Sequence, residues 1–346
     1  MQEESAGDEE VWAKVLCECY GVDLAHTGPV LIGTETLSRR VRLSDGRRVL
    51  VRQYRAMADL ERIRAAWEMS ELCRVARVPV PRAWRSWDGE VLTSFADAAW
   101  VVSEEALGRV VTEPMTVARA QHIGLMLGRM HRALVACPPP AHGRPARWHT
   151  ADAESAAACS ELLLIRAAAQ HNLRLDQLNA QLDQRRRDLR THVPRLRAGL
   201  PGDLVAHAAH GDFTRTNLLA QEDLITAILG FHGEVCVLAW ELGRAAFDPR
   251  TVANSPSWMR FALRLIGAYR AENPGLPLAD LRACARIALL DLLFSFDGAT
   301  TGGHRRFVRT DADARQRWAE CQITIRRLLA SLDDLESALV AVGRGS

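Results

Sequence analysis

Two periods divide this chain. Up to about residue 103, apolar and polar positions alternate in short runs. "SRRVRLSDGRRVLVRQYR" alternates on either side of Asp45-Gly46, and that dipeptide between alternating runs predicts a β-hairpin. A second hairpin is predicted around Asp88-Gly89 in "WRSWDGEVLTSF", and the apolar "WVVSE" predicts a further strand. Helical spacing interrupts this pattern twice. "EEVWAKVLCECYG" predicts a short amphipathic helix, and "ADLERIRAAWEMSELCRVAR" a second, with Leu60, Ile63, Trp67 and Leu72 near one face. Pro79 and Pro81 force extended backbone directly after it.

From about Thr116 the period becomes helical. "VARAQHIGLMLGRMHRAL" carries Ile123, Leu127, Met130 and Leu134 on one stripe, and "ACPPPAHGRPARW" predicts a loop. A long amphipathic stretch follows, with Leu175, Leu178, Leu182 and Leu189 in near-heptad spacing, and Pro194 is expected to stop it. Too short for several clean heptads, this stretch is expected to pack on its own domain rather than on a coiled-coil partner. Two short strands come next, then helices to the C-terminus. The expected fold class is α+β and bilobal. Residues 1–20 form an acidic tail and first helix, 21–103 a sheet-rich lobe with one helix, and 104–346 a helical lobe.

Composition narrows the function classes. At 346 residues the chain has room for two lobes, and a net charge of +2 excludes a dedicated basic nucleic-acid binder. "MQEESAGDEE" has neither a basic start nor an apolar core, so it reads as a tail rather than a signal peptide. No apolar run approaches about eighteen residues, so no membrane partner is expected. Eight scattered cysteines without zinc spacing fit reduced thiols in a cytoplasm. Lys14 is the only lysine. Any mid-chain cation on a phosphate must therefore be an arginine.

The candidate chemistry lies in "HGDFTRTNLL", His210 to Leu219, where Asp212 and Asn217 stand five residues apart. Phosphoryl transfer from a nucleotide is mostly positioning and charge neutralisation. It needs a carboxylate near the acceptor hydroxyl and oxygen ligands for a metal. Asp212 suits the first role and Asn217 the second. The same letters also suit a polar turn before a strand.

This stretch resembles the catalytic loop of the aminoglycoside phosphotransferase superfamily, which includes choline kinases and homoserine kinases of type II. The likeness extends to "LIGTETLSRRVRLSDGRRVLVRQYR", "GLMLGRMHRAL" and "AWELGRAAF", the last usually written with Asp where Glu241 stands. It implies a protein-kinase-like fold, with ATP between the lobes, Mg²⁺ as cofactor and a hydroxyl acceptor. By this resemblance Asp212 is the catalytic residue and Asn217 a metal ligand. Arg52 stands at the strand lysine that contacts phosphate, and Glu68 at the helix glutamate that pairs with it. The loop "GTET" offers only Gly33 for cradling phosphate.

The serious departure from the family lies at Gly230. Thirteen residues past Asn217, where the resemblance places a magnesium-binding Asp, the chain has Gly230 followed by Phe231. Glu234 is the candidate substitute ligand; nearby His232 prefers softer metals than magnesium. Two functions follow from the sequence. One is a phosphotransferase acting on a small-molecule hydroxyl or a peptide Ser/Thr. The other is a pseudokinase that binds a partner protein of its pathway.

Overall fold

The computed structural model describes residues 3–33, 36–55, 58–140, 143, 146–169, 175–299 and 311–344. Helix α1 (Glu3–Tyr20) leads into strands β1 (Leu24–Thr27), β2 (Leu31–Ile32), β3 (Thr36–Leu43) and β4 (Arg48–Tyr54). Helix α2 (Leu60–Val75) precedes β5 (Thr93–Phe95) and β6 (Ala98–Glu104). The six strands make one antiparallel sheet in the order β1-β3-β4-β6-β5, with β2 paired to β3. Strand alternation sends side chains to two faces. On one, Val41, Val49, Val51, Trp100 and Val102 bury Trp12, Val15 and Leu16 of α1. On the other, Tyr54, Ala99 and Val101 meet Ile63 and Trp67 of α2.

Three local expectations are corrected here. Helix α1 starts at Glu3 and takes in most of the acidic segment read as a tail; acidic residues suit a helix N-terminus, and Glu10 pairs with Lys14 one turn on. The face that α2 buries is Ile63, Ala66, Met69, Ser70 and Cys73, while Leu60 and Leu72 are exposed. At Asp88-Gly89 there is a turn, closed by Ser86 N–H donating to Glu90 O at 2.9 Å, but no strand flanks it. The hairpin lies between β5 and β6 instead. Its corner is Ala96 and Asp97, both at positive φ without a glycine to announce it.

The rest of the chain begins with the short strand β7 (Arg109–Val110). Helices α3 (Val117–Leu134), α4 (Arg147–Thr150), α5 (Ala153–Ala169) and α6 (Leu175–Ala198) follow. Next come β8 (Ala206–Ala209), a 3-10 turn (Arg215–Asn217), β9 (Leu218–Gln221), β10 (Leu224–Ile228) and β11 (Glu234–Val237). Helices α7 (Leu238–Ala246), α8 (Pro249–Asn254), α9 (Trp258–Glu272), α10 (Leu278–Phe294) and α11 (Asp311–Gly343) close the chain. β9 pairs with both β7 and β10, and β8 with β11, so the loops after β8 and β10 are brought together.

The α3 stripe of Ile123, Leu127, Met130 and Leu134 is buried as expected. A Cβ on Gly124 or Gly128 would strike the backbone of Leu265 or Tyr269, so α3 and α9 pack backbone to backbone. Pro194 does not stop α6, which runs on to Ala198. The proline falls in the final turns, where Val193 and Leu196 are buried and Arg197 donates to Trp148 O and Ala151 O. Helix α6 packs on α5 and α10 of its own chain. Among the described residues, no helix is long and apolar enough to cross a membrane.

Candidate active site

Strand β8 delivers the chain to His210, Gly211 and Asp212, and the 3-10 turn returns it to β9 through Asn217. Asn217 Nδ2 donates to the Asp212 carbonyl at 2.8 Å and to Asp212 Oδ2 at 3.0 Å. The structure therefore brings the two residues together. The other carboxylate oxygen, Oδ1, lies 3.5 Å from Arg244 Nη2 of α7. Arg244 in turn sits 3.7 Å from Asp291 and over the Trp240 ring.

Behind this loop lies a fully buried carboxylate. Glu241 Oε1 accepts from Gly211 N–H at 2.7 Å, and Oε2 accepts from His210 N–H at 3.2 Å and from His131 Nε2 at 3.0 Å. Since Nε2 donates, His131 Nδ1 is free to accept from Tyr269 Oη at 2.9 Å, and Asn273 Nδ2 donates to that same oxygen. Burial pushes the Glu241 carboxyl up, but the hydrogen bonds from His131 and from Gly211 N–H outweigh it and hold it at about 2. Burial lowers His210, which stays neutral with Nε2 donating to Leu229 O and Nδ1 accepting from Asp212 N–H. Two of the three donors to Glu241 are thus backbone groups leading into Asp212.

The loop after β10 is clamped on this platform by Leu229 N–H to Asn217 O at 2.8 Å and His232 N–H to His210 O at 2.9 Å. Phe231 lies against the His210 ring at 4.4 Å between centroids. Gly230 sits at φ +78°, and a Cβ there would lie 3.1 Å from Asn217 Oδ1. The Asn217 amide, its nitrogen committed to Asp212, lies against the position that lacks a side chain, with oxygen and nitrogen 3.1 and 3.2 Å from where a Cβ would stand. A carboxylate at 230 would reach it. Glu234, at the start of β11, directs Oε2 toward Gly211 and lies 3.9 Å from His232 Nδ1. Among the described residues, no group of three His, Cys, Asp or Glu side chains is arranged to hold a metal. The oxygens of Asp212 and Asn217 suit a hard cation that brings further ligands on phosphate.

Arg52 and Glu68 do not meet, which corrects the expected pair. Arg52, on the α2 face of the sheet, donates from Nη1 to Ser103 Oγ of β6 at 3.0 Å. Its guanidinium lies over the Trp67 ring, 5.2 Å from the centroid. Glu68 is exposed and stands near Cys137, whose thiol it helps burial to push up. The reason is helical phase: Ile63 and Trp67, four apart, share the face against the sheet, and the next residue turns about 100° away. Of the "GTET" loop, Gly33 and Thr36 are described, and the Gly33 N–H donates to Thr36 O; Thr34 and Glu35 lie outside the described residues.

Sequence reasoning missed Trp67, Ser103, His131 and Arg244 as site residues. His131 left a signal, as a polar residue beside Met130 on the buried stripe of α3. Trp67 was legible only as core. A surface pocket of about 380 Å³ beside β7 and β9, lined by Arg109, Glu113, Arg119 and Glu222, contains none of the site residues.

Residues 29–278 match the phosphotransferase enzyme family, and the chain belongs to that family. A homoserine kinase of Zymomonas mobilis subsp. mobilis is 24% identical over 200 residues, which are 58% of this chain. The match spans 57% of that relative's length. A spectinomycin phosphotransferase solved with ADP and spectinomycin superposes with a TM-score of 0.61 at 10% identity, covering 94% of this chain and 98% of the other. An amicoumacin kinase solved with AMP-PNP and Ca²⁺ gives 0.58 at 16% identity, covering 96% of each chain. A microcompartment-associated aminopropanol kinase gives 0.55 at 17% identity, covering 95% of this chain and 99% of the other. At these identities the likeness establishes the fold.

Proposed function

We propose that this member of the phosphotransferase family is an ATP-dependent kinase of a hydroxyl group, acting on a small molecule in the cytoplasm. The observation that carries the reading is the Asp212–Asn217 contact on a loop whose backbone is held by Glu241. Asp212 takes the proton of the acceptor hydroxyl as its oxygen bonds the γ-phosphorus and the bond to the departing ADP breaks. Arg52 neutralises phosphate oxygens; it is half-buried and has no carboxylate partner among the described residues. A magnesium ion, held by Asn217 Oδ1 with Asp212 or Glu234, would supply charge neutralisation on the phosphates. The relatives' named substrates (homoserine, spectinomycin, amicoumacin, aminopropanol) support a small hydroxyl compound over a peptide Ser/Thr.

One observation favours a second reading. Gly230 leaves Asn217 Oδ1 without a neighbouring carboxylate from its own loop. That fits a pseudokinase which binds a partner protein. Calorimetry of ATP with and without Mg²⁺, with ADP release measured over a panel of hydroxyl compounds, separates the two. Mg²⁺-dependent binding with acceptor-dependent release supports the enzyme. Binding without release against every acceptor supports the pseudokinase, and no nucleotide binding in either condition removes both.

A further inference from the structure

Arg52 is a cation in an unusual setting. Burial lowers its pKa, and Tyr54 is the only group that works against this. Of its five N–H donors, Ser103 Oγ takes one. No ion pair to Arg52 is formed among the described residues. A half-buried cation normally finds an anion. Here its neighbour from α2 is the Trp67 ring. That ring is itself fixed, because Trp67 Nε1 donates to Tyr54 Oη at 3.0 Å, and Tyr54 stands two residues beyond Arg52 on β4. Ile63, Leu92 and Val101 pack beside it.

We propose that Trp67 is the positioning residue for Arg52, holding its guanidinium through the π face of the indole so that its N–H fork is available to nucleotide phosphates. The arginine at the lysine position and its lack of contact with Glu68 then have one explanation. A lysine needs an acidic partner to aim it, and that partner competes with phosphate for the same protons. An indole attracts the cation without consuming its in-plane donors, and guanidinium suits an aromatic face better than ammonium does. Arginine on β4 and tryptophan on α2 therefore form a matched substitute for a lysine–glutamate pair. Helix α2 also packs Met69 and Cys73 into the large core that contains the catalytic-loop residues Phe213 and Leu218. The phosphate-side cation is thereby tied to the same body as Asp212.

The inference rests on the reading of the cleft as a nucleotide site, and the test separates the two. ATP, ADP and adenosine are titrated by calorimetry into the parent, Trp67→Leu, Trp67→Phe, Arg52→Met and the Trp67→Leu/Arg52→Met double variant, each checked by thermal melting. In Trp67→Leu the affinity for ATP and ADP is expected to fall on the order of tenfold, with adenosine unchanged. Trp67→Phe, which keeps a weaker π face and preserves the fold if Trp67→Leu does not, should lose about threefold for ATP and ADP and nothing for adenosine. In the Arg52→Met background, removing Trp67 should cost ATP nothing further. Equal losses for ATP and adenosine, or an undiminished loss in the Arg52→Met background, would show a purely structural tryptophan and overturn the proposal. A parent that binds adenosine but gains nothing from phosphates overturns it too. If the parent binds no nucleotide at all, it is the nucleotide-site reading that fails first.

Discussion

The two sides of this cleft are held by different chemistry. Behind Asp212 the support is charged, buried and redundant: Glu241 accepts three hydrogen bonds, two of them from the backbone of the loop itself. His131, Tyr269 and Asn273 extend that network into α3 and α9. On the side proposed for phosphate and metal the groups are sparse. Arg52 has a hydroxyl and an indole, and the Asn217 amide faces a glycine. The contrast teaches where the molecule fixes geometry by itself and where it leaves a ligand to complete the charge balance. Within the protein, the loop of Asp212 is over-determined. The phosphate side is not.

The most severe way to break this asymmetry is to remove the base while keeping its shape. Asp212→Asn should lower turnover by about a hundredfold to ten-thousandfold, with nucleotide affinity nearly unchanged, because a general base acts on the chemical step. Rates and ATP titrations on the same preparation check both halves. Activity equal to the parent would remove Asp212 from the mechanism.

The next test targets the buttress. Glu241 is held at about 2, below its ordinary 4.5. A carboxylate depressed in the folded state stabilises it above the ordinary value, and that stabilisation is lost as pH falls from about 4.5 toward 2. At neutral pH it amounts to roughly 3 kcal/mol. Glu241→Gln should therefore lower the melting temperature at pH 7 and flatten the acid limb of a melting series between about pH 5 and 2. An unchanged acid limb would mean that the network does not carry the stability assigned to it.

On the sparse side the effects are expected to be smaller. Asn217→Ala should weaken nucleotide binding in the presence of Mg²⁺ by about tenfold and leave Mg²⁺-free binding nearly as in the parent, since a single oxygen ligand is lost from a cation that phosphates also hold. Calorimetry with and without the metal measures the difference. A loss of equal size in both conditions would instead point to collapse of the loop, because Asn217 also donates to Asp212.

How much of this was legible in the sequence follows the same divide. The alternation around Asp45-Gly46 and the stripe through Ile123, Leu127, Met130 and Leu134 report local periodicity, and both elements formed as read. Asp212 and Asn217 lie five residues apart on one turn, so their contact needs little beyond the loop itself. Arg52 and its partner are separated by fifteen positions and by the phase of a helix. Glu68 and Trp67 are adjacent in sequence, and only packing of Ile63 on the sheet decides which one faces the arginine. Glu241 and His131 meet from helices 110 positions apart. Local pattern cannot specify such a meeting. The hairpin corner at Ala96-Asp97 was missed for another reason: its positive φ is tolerated rather than signalled.

The mildest change asks most directly what the glycine does. Gly230→Asp would place a carboxylate beside Asn217 Oδ1, with the new Cβ 3.1 Å from that oxygen, so the amide must give by a few tenths of an ångström. The backbone at φ +78° disfavours a side chain, but Asp is among the residues that tolerate the left-handed region best. The stability cost should stay near about 1 kcal/mol. If this side of the cleft is a kinase site short of one ligand, Mg²⁺-dependent ATP binding tightens several-fold, because magnesium is held chiefly by one or two carboxylates plus phosphate oxygens. If Glu234 already fills that role, Gly230→Asp changes little, and Glu234→Ala alone abolishes the metal dependence in the parent. If the protein is a pseudokinase with no use for metal, neither substitution moves nucleotide binding, and the melting temperature of Gly230→Asp falls slightly with nothing gained. Titrations of ATP with and without Mg²⁺ on the parent and the two variants, read beside their melting curves, assign the glycine to one of these three states.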